Sequence, residues 1–329
     1  MRKDVKFFLF FLLPVLLFSY SLDVLISKNL KKSNKFAEKE YTTWNTIFEG
    51  KINSDLLIYG ASRAWVQFNS TMIEDSLHIP TYNLGIDGLY FQMQYFRHKM
   101  LMKNNKKPKL IIIAIDMFSL EKRKDLYNLE QFLPYMLWNT DIKTATSGYK
   151  GFAAIDYEIP LVRYYGRTRA IETAFRFASG HLNNPVCRVK GYQAQNLTWN
   201  TDFDNAKLKM KEQVINPDKS IILLFERFIN ECNSQNIKLI FVNSPEYSEG
   251  QKFIKNREEV LAIYTKWSKQ YHIPFYDYSK SSISFQKKYF YNSIHMNKTG
   301  SELFTAQLID TLKQSNTIRD LNFNTSTHE

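Results

Sequence analysis

The sequence predicts an α/β fold: a doubly wound, parallel, five-stranded sheet of flavodoxin-like type, with a mainly helical insertion and an amino-terminal membrane anchor. Three observations predict it. Five short runs, "LLIY" (56–59), "TYNL" (81–84), "LIIIAI" (110–115), "KLIFVN" (238–243) and "PFYD" (274–277), have the composition of strands, and those apolar throughout suit a sheet buried on both faces. Helical patterns at 63–78, 89–104, 219–236, 251–271 and 299–313 lie between or after them, the alternation expected of parallel crossovers. The chain also opens on a long apolar stretch.

That stretch, "MRKDVKFFLFFLLPVLLFSYSLDVLI", places Arg2, Lys3 and Lys6 before an apolar run from Phe7 to about Ile26. Its length suits a membrane span, although Pro14 and Asp23 interrupt it. A cleaved signal peptide is the rival reading, with "SYS" before Leu22 as a poor cleavage site. Lys28, Lys31 and Lys32 on the far side blunt the charge asymmetry. We read 1–26 as an uncleaved anchor with the rest outside the cytoplasm, periplasmic or at the cell surface. Residues 27–54 then form a helical stalk, with Trp44, Ile47 and Phe48 packing on the body. The α/β domain covers 55–315, and 316–329 is a polar tail.

The alternation breaks once. Residues 118–218 carry no strand pattern but many aromatics, among them Tyr127, Phe132, Trp138, Tyr157, Tyr164, Tyr165 and Trp199. A hundred residues is too long for a simple loop, so a mainly helical insertion is expected. Its aromatics are either a lid that packs on sugar rings or a satellite core for the inserted helices.

The net charge of +12 is spread along the chain, without a recognition-helix or zinc-finger pattern. A diffuse positive surface suits an anionic envelope or a polyanionic glycan, and no nucleic-acid partner is expected. Two cysteines, Cys187 and Cys232, cannot build a disulfide framework. Cys232 shares the apolar face of a helix with Ile221, Leu224, Phe225, Phe228 and Ile229, the place of a core residue. The six histidines are scattered and no phosphate loop follows a strand, so neither metal nor cofactor is expected.

Ligands of open α/β sheets bind beyond the carboxyl ends of the strands. Ser62 in "YGASRAW" follows the first strand, "NLGIDG" the second and Asp116 the third. His295, in "YNSIHMNKTGSELFT", precedes a helix start marked by the capping-box spacing of Thr299 and Glu302. This topology would put Ser62 and His295 on one rim. A nucleophilic serine needs a base, an orienting group behind that base, and donors for the oxyanion. Each candidate also has a plainer role: Ser62 as a helix N-cap, His295 as a packing residue, the glycines as a turn. Asp277 at the end of the fifth strand is either a substitute orienting acid or a strand-end residue bonding nearby backbone.

Taken together, "YGASRAW", "YNLGIDG", "LIIIAIDMFSL", "VNSPEY" and "HMNKTGSELFT" resemble the successive blocks of the SGNH (GDSL-like) hydrolases, over roughly residues 50–315. The match is nearest to the membrane-anchored branch that includes DltD and the alginate acetylation proteins. The resemblance implies Ser62 as nucleophile, Gly88 as backbone oxyanion donor and His295 as general base. It implies an esterase or O-acyltransferase acting on a cell-envelope glycan, with an acyl-transferring membrane protein as partner. Two positions depart from the pattern. Asn292 stands where the family has the aspartate that orients the histidine, and Asp116 where it often has an asparagine oxyanion donor. An amide can orient an imidazole but not neutralise its cation, and an ionised carboxylate donates no hydrogen bond. A catalytically degenerate protein that binds glycan or a membrane partner through the same cleft is therefore the alternative.

Overall fold

The backbone of Leu56–Tyr59 and Leu110–Ala114 is buried on both faces, which is why these apolar, β-branched runs form the centre of a sheet. The computed structural model describes residues 3–34, 36–88, 90–181, 188–209, 212–319 and 321; Arg2, Cys187 and the tail from 322 onward lie outside the described residues. Helices α1 (Lys3–Leu30) and α2 (Glu40–Phe48) precede the sheet. Strand β1 (Leu56–Tyr59) leads into α3 (Ser62–Gln67) and α4 (Ser70–Leu77), and β2 (Thr81–Asn83) into α5 (Phe91–Asn104). After β3 (Leu110–Ala114) come α6 (Thr140–Thr146), α7 (Thr168–Ala178) and α8 (Asp202–Lys209), with 3-10 turns among them. The alternation then resumes with α9 (Lys219–Ser234), β4 (Lys238–Asn243), α10 (Ser248–Gln251), α11 (Arg257–Tyr271), β5 (Phe275–Asp277) and α12 (Lys298–Gln314).

The sheet has the order β2-β1-β3-β4-β5 and every pairing is parallel. That order is doubly wound, and its switch point lies between β1 and β3, where the chain crosses to opposite sides. In register, Tyr59 pairs Ile113 and Ala114 pairs Val242. The carboxyl ends of the three central strands therefore finish level with one another. Beneath one face Ile58, Ile112 and Ile240 pack with Phe68, Phe304, Leu308 and Leu312. Toward the other, Tyr59 and Phe241 meet an aromatic set from α9 and α11, including Phe225, Phe228, Tyr264 and Trp267. Cys232 is buried there, and burial pushes its thiol up, so it stays protonated.

Two helix starts differ from the expectation. The pattern over 63–78 is broken at Phe68, whose extended backbone drops the ring against Phe304 at 5.0 Å, and Asn69 then caps α4 by accepting from Met72 N–H. The cap of α12 is Asn297, which accepts from Gly300 N–H at 3.0 Å, so Thr299 sits inside the helix and no capping box forms there.

The chain divides into two compact units, Met1–Asn45 with Lys124–Cys187, and Thr46–Arg123 with Arg188–Glu329. The second holds the sheet. Within the first, Trp44 packs against Phe132 at 5.5 Å and donates to Gln131 Oε1 at 2.8 Å. With Tyr157 and Tyr164 buried as well, much of the aromatic content forms a satellite core. Trp199 belongs to the second unit, edge-on to Phe203 and Tyr247. Among the described residues, one helix, over Phe10–Leu30, is long and apolar enough to cross a membrane.

Phe304 is fully buried between Phe68 and Tyr278. Phe304→Ala should cost about 3–5 kcal/mol in urea unfolding, since it removes both ring contacts and leaves a cavity. A loss below about 1 kcal/mol would show that this face of the sheet repacks freely.

Candidate active site

Gly60 turns the chain out of β1 at φ +149°, where a Cβ would fall 2.8 Å from Ala114 O on the neighbouring strand. Only glycine lets the two strand ends close at this point. Ala61 is the N-cap of α3 and makes no side-chain cap bond. Ser62 is therefore the first helical residue rather than the cap, and its half-buried hydroxyl turns elsewhere. Its Oγ lies 2.7 Å from His295 Nε2.

His295 is carried by a loop pinched shut by the antiparallel bridge between Phe290 and Met296. Tyr291 N–H donates to His295 O at 3.1 Å, and the Tyr291 ring stacks on the imidazole at 5.4 Å and 7°. Asn292 Oδ1 accepts from Ile294 N–H at 3.1 Å and His295 N–H at 2.8 Å, and lies 3.1 Å from His295 Nδ1. The two backbone donors decide which way the amide faces, because its NH2 end could not serve them. The oxygen must face the ring. Nδ1 then carries the proton, and Nε2 is left as the acceptor for the Ser62 hydroxyl. The amide thus selects the tautomer that a general base needs.

Behind this chain of bonds sits a buried ion cluster. The Arg63 guanidinium donates to Ile115 O at 3.2 Å, Asn243 Oδ1 at 3.3 Å, Ser244 Oγ at 3.0 Å and Ser244 O, and pairs with Glu246 at 3.1 Å. Glu246 also pairs with Arg257 at 2.5 Å. One side chain beside Ser62 thereby ties the ends of β3 and β4 together. Ser244 Oγ donates to Gln67 Oε1, and Gln67 Nε2 donates to Ile294 O at 2.8 Å. Gln67 is fully buried, so the loop that carries His295 is anchored to α3 from below. Burial, with the Arg63 charge acting in the same direction, lowers the His295 imidazole to about 4, against the weaker opposing pull of Glu246. The ring is neutral at pH 7.

Gly88 and Asp116 follow β2 and β3, the strands on either side of β1, but lie outside the bonded chain of Ser62, His295 and Asn292. Gly88 occupies an exposed left-handed turn after β2, at φ +60°. Asp116 follows β3 and spends Oδ1 on Phe118 N–H at 2.9 Å. Burial raises its carboxyl and Glu246 adds to this, while Arg63 and Arg257 pull it back. In its protonated form this side chain has an O–H to donate; ionised, it has none. Asp277 accepts from Asn243 Nδ2 and Ser279 N–H, both at 2.9 Å, the bonding of a strand-end residue. Arg63, Gln67, Ser244, Glu246 and Tyr291 escaped sequence reasoning as site residues. Of these, only Arg63, adjacent to the serine, and the "NSPE" run carried any signal. Among the described residues no three His, Cys, Asp or Glu side chains converge as they would around a metal ion.

No family model matches the sequence, and no curated protein matches it. Among solved structures, an acetyl xylan esterase aligns over 78% of this chain and 98% of its own, at 12% identity and a TM-score of 0.39. A GDSL-like lipase from Bacteroides thetaiotaomicron aligns over 84% of this chain and 99% of its own, at 13% identity and a TM-score of 0.34. A proposed acylhydrolase from Bacteroides fragilis aligns over 78% and 86%, at 14% identity and a TM-score of 0.32. These superpositions are loose.

Arg63→Met should cost about 3–5 kcal/mol in denaturant unfolding, because Glu246 would lose one of its two cations and two strand ends would lose their tie. A change below about 1 kcal/mol would mean that the cluster contributes little net stability.

Proposed function

We propose that this chain is an SGNH-type serine esterase or O-acyltransferase acting on a cell-envelope glycan, anchored by α1 with its α/β domain outside the cytoplasm. The observation that carries the reading is the 2.7 Å bond from Ser62 Oγ to His295 Nε2, with Asn292 holding the ring in the matching tautomer. Ser62 Oγ attacks the acyl carbonyl carbon while its proton passes to Nε2. The tetrahedral oxyanion draws on backbone N–H groups near Gly88 and on the positive potential of buried Arg63, with Asp116 donating when it carries the proton that burial favours. His295 returns the proton to the departing oxygen as the C–O bond breaks, leaving an acyl-Ser62 ester. Water or a glycan hydroxyl, deprotonated by the same nitrogen, then attacks that ester and frees Ser62. The glycan acceptor and an acyl-transferring membrane partner rest on the sequence resemblance and on the diffuse positive charge.

A second reading, a non-catalytic binder using the same cleft, is favoured by one pair of observations. Asn292 cannot neutralise an imidazolium, and Asp116 Oδ1 is already engaged by Phe118 N–H. A fluorophosphonate probe separates the two. Stoichiometric labelling of the wild type that is lost in Ser62→Ala is the expected result; absent labelling, or equal labelling of both, supports the binder.

The general base works in its neutral form, so hydrolysis of an activated ester should hold steady from pH 7 to about 5 and fall only as pH drops through about 4. In Asn292→Asp the new carboxylate stabilises the imidazolium, which should move the acid limb toward neutrality and raise turnover about tenfold or more. An acid limb near the ordinary histidine value in the wild type, or an unmoved limb in the variant, contradicts these roles for His295 and Asn292.

A further inference from the structure

The unit that contains α1 carries a second feature, independent of Ser62. The side chains of α1 from Phe10 to Phe18 are exposed, Phe10 by 74% and Phe18 by 70%. From Leu22 onward the helix docks. Asp23, almost fully buried, accepts from Arg163 through both oxygens, at 2.7 and 2.6 Å, and from Leu161 N–H at 2.7 Å. Ser27 bridges Asp23, Arg163 and the Tyr164 hydroxyl. The acid that interrupts the apolar run is thus neutralised inside the protein, the arrangement required of a charge at membrane depth.

Helix geometry decides where this clamp lies. The stretch of α1 from Phe7 to Tyr20 rises about 21 Å at 1.5 Å per residue, short of a hydrocarbon core of about 30 Å. A spanning α1 needs the run to Ile26, about 30 Å, which places Leu22, Ile26 and the residues packed on them at the edge of the core. An open groove of about 730 Å³ lies at that level, lined by Leu22, Ile26, Ile155, Leu161, Ile171 and Phe175. Arg167, also in its wall, is only half-buried. Tyr165 is 92% exposed, and Trp138, 60% exposed, stacks on Tyr20 at 5.3 Å and 19°. Aromatic rings of this kind settle at the headgroup level of a bilayer.

We propose that this groove binds a phospholipid of the surrounding bilayer, one acyl chain lying along Leu22, Ile26, Ile171 and Phe175 and the phosphate meeting Arg167. The helical unit then sits in the interface instead of hanging from α1 by a tether. The volume lies within the range of small-molecule sites, and the lining is mainly apolar. Of its charged groups, Arg163 is spent on Asp23, Asp156 is an acid, and Arg167, which donates to Arg163 O and Gly151 O, is the cation left to meet an anion.

The test uses the full-length chain in phosphatidylethanolamine–phosphatidylglycerol vesicles doped with a phosphatidylglycerol that carries a diazirine on its acyl chain. After irradiation, adducts are mapped by mass spectrometry. Adducts on α7, at Ile171 or Phe175, in addition to Phe10–Phe18, are expected. Phe175→Glu, which puts a charge at membrane depth, and Ile171→Trp, which fills the groove with apolar bulk, should each cut the α7 adducts about tenfold while sparing those on α1. Adducts confined to α1, or an α7 yield unchanged in both variants, would overturn the proposal. Circular dichroism melts identify a variant that fails to fold, and for it the wild-type map decides. Fluorophosphonate labelling of Ser62 does not enter any of these outcomes.

Discussion

The arrangement of the candidate site depends on one buried guanidinium. Arg63 follows Ser62 directly, and its hydrogen bonds and ion pair reach the ends of β3 and β4 together with Glu246. A full charge at that depth is tolerated because carbonyl, hydroxyl, amide and carboxylate oxygens surround it. Two consequences follow. The strand ends are held level, so a residue on the turn after β1 and one on the loop before α12 can meet. The same charge also acts on the chemistry, adding to burial in keeping His295 neutral and favouring negative charge near Ser62.

On the proposed mechanism, an amide in place of the expected carboxylate behind His295 costs less than it would in a serine-protease triad. There, the amide turns its NH2 toward the ring and imposes the wrong tautomer, a loss of about ten thousand fold. Here Ile294 and His295 N–H groups hold the Asn292 oxygen toward the ring, and the tautomer is preserved. What remains absent is a negative charge to offset the imidazolium as it forms. The site is therefore assembled in its resting state and weakest in its charged one. On the proposed mechanism, such a base suits an activated acyl donor better than a plain ester.

The strands were legible because buried parallel strands are apolar on both faces, and "LLIY", "LIIIAI" and "KLIFVN" could hardly be anything else. The meeting of Ser62 and His295 followed from topology, since parallel strands deliver their carboxyl ends to one edge. The ion cluster was not legible. Arg63, Glu246 and Arg257 look in sequence like ordinary surface charges, and only the fold turns them inward. Gln67 sits in what reads as one helix over 63–78; it is instead the last residue of α3, and its amide donates to Ile294 O. Thr299 and Glu302 had capping-box spacing, yet Asn297, two residues earlier, took the cap. Local spacing alone does not say which polar residue reaches the first free N–H groups.

The chemistry proposed for the site turns on one proton on one ring. It is tested most directly by 15N NMR of histidine-labelled protein, with the His295 signals assigned by their loss in His295→Gln. A neutral ring at pH 7, protonated on Nδ1 and bare at Nε2, and charging only near pH 4, is the expected result. A ring protonated on Nε2 at pH 7, or one already cationic there, would contradict it.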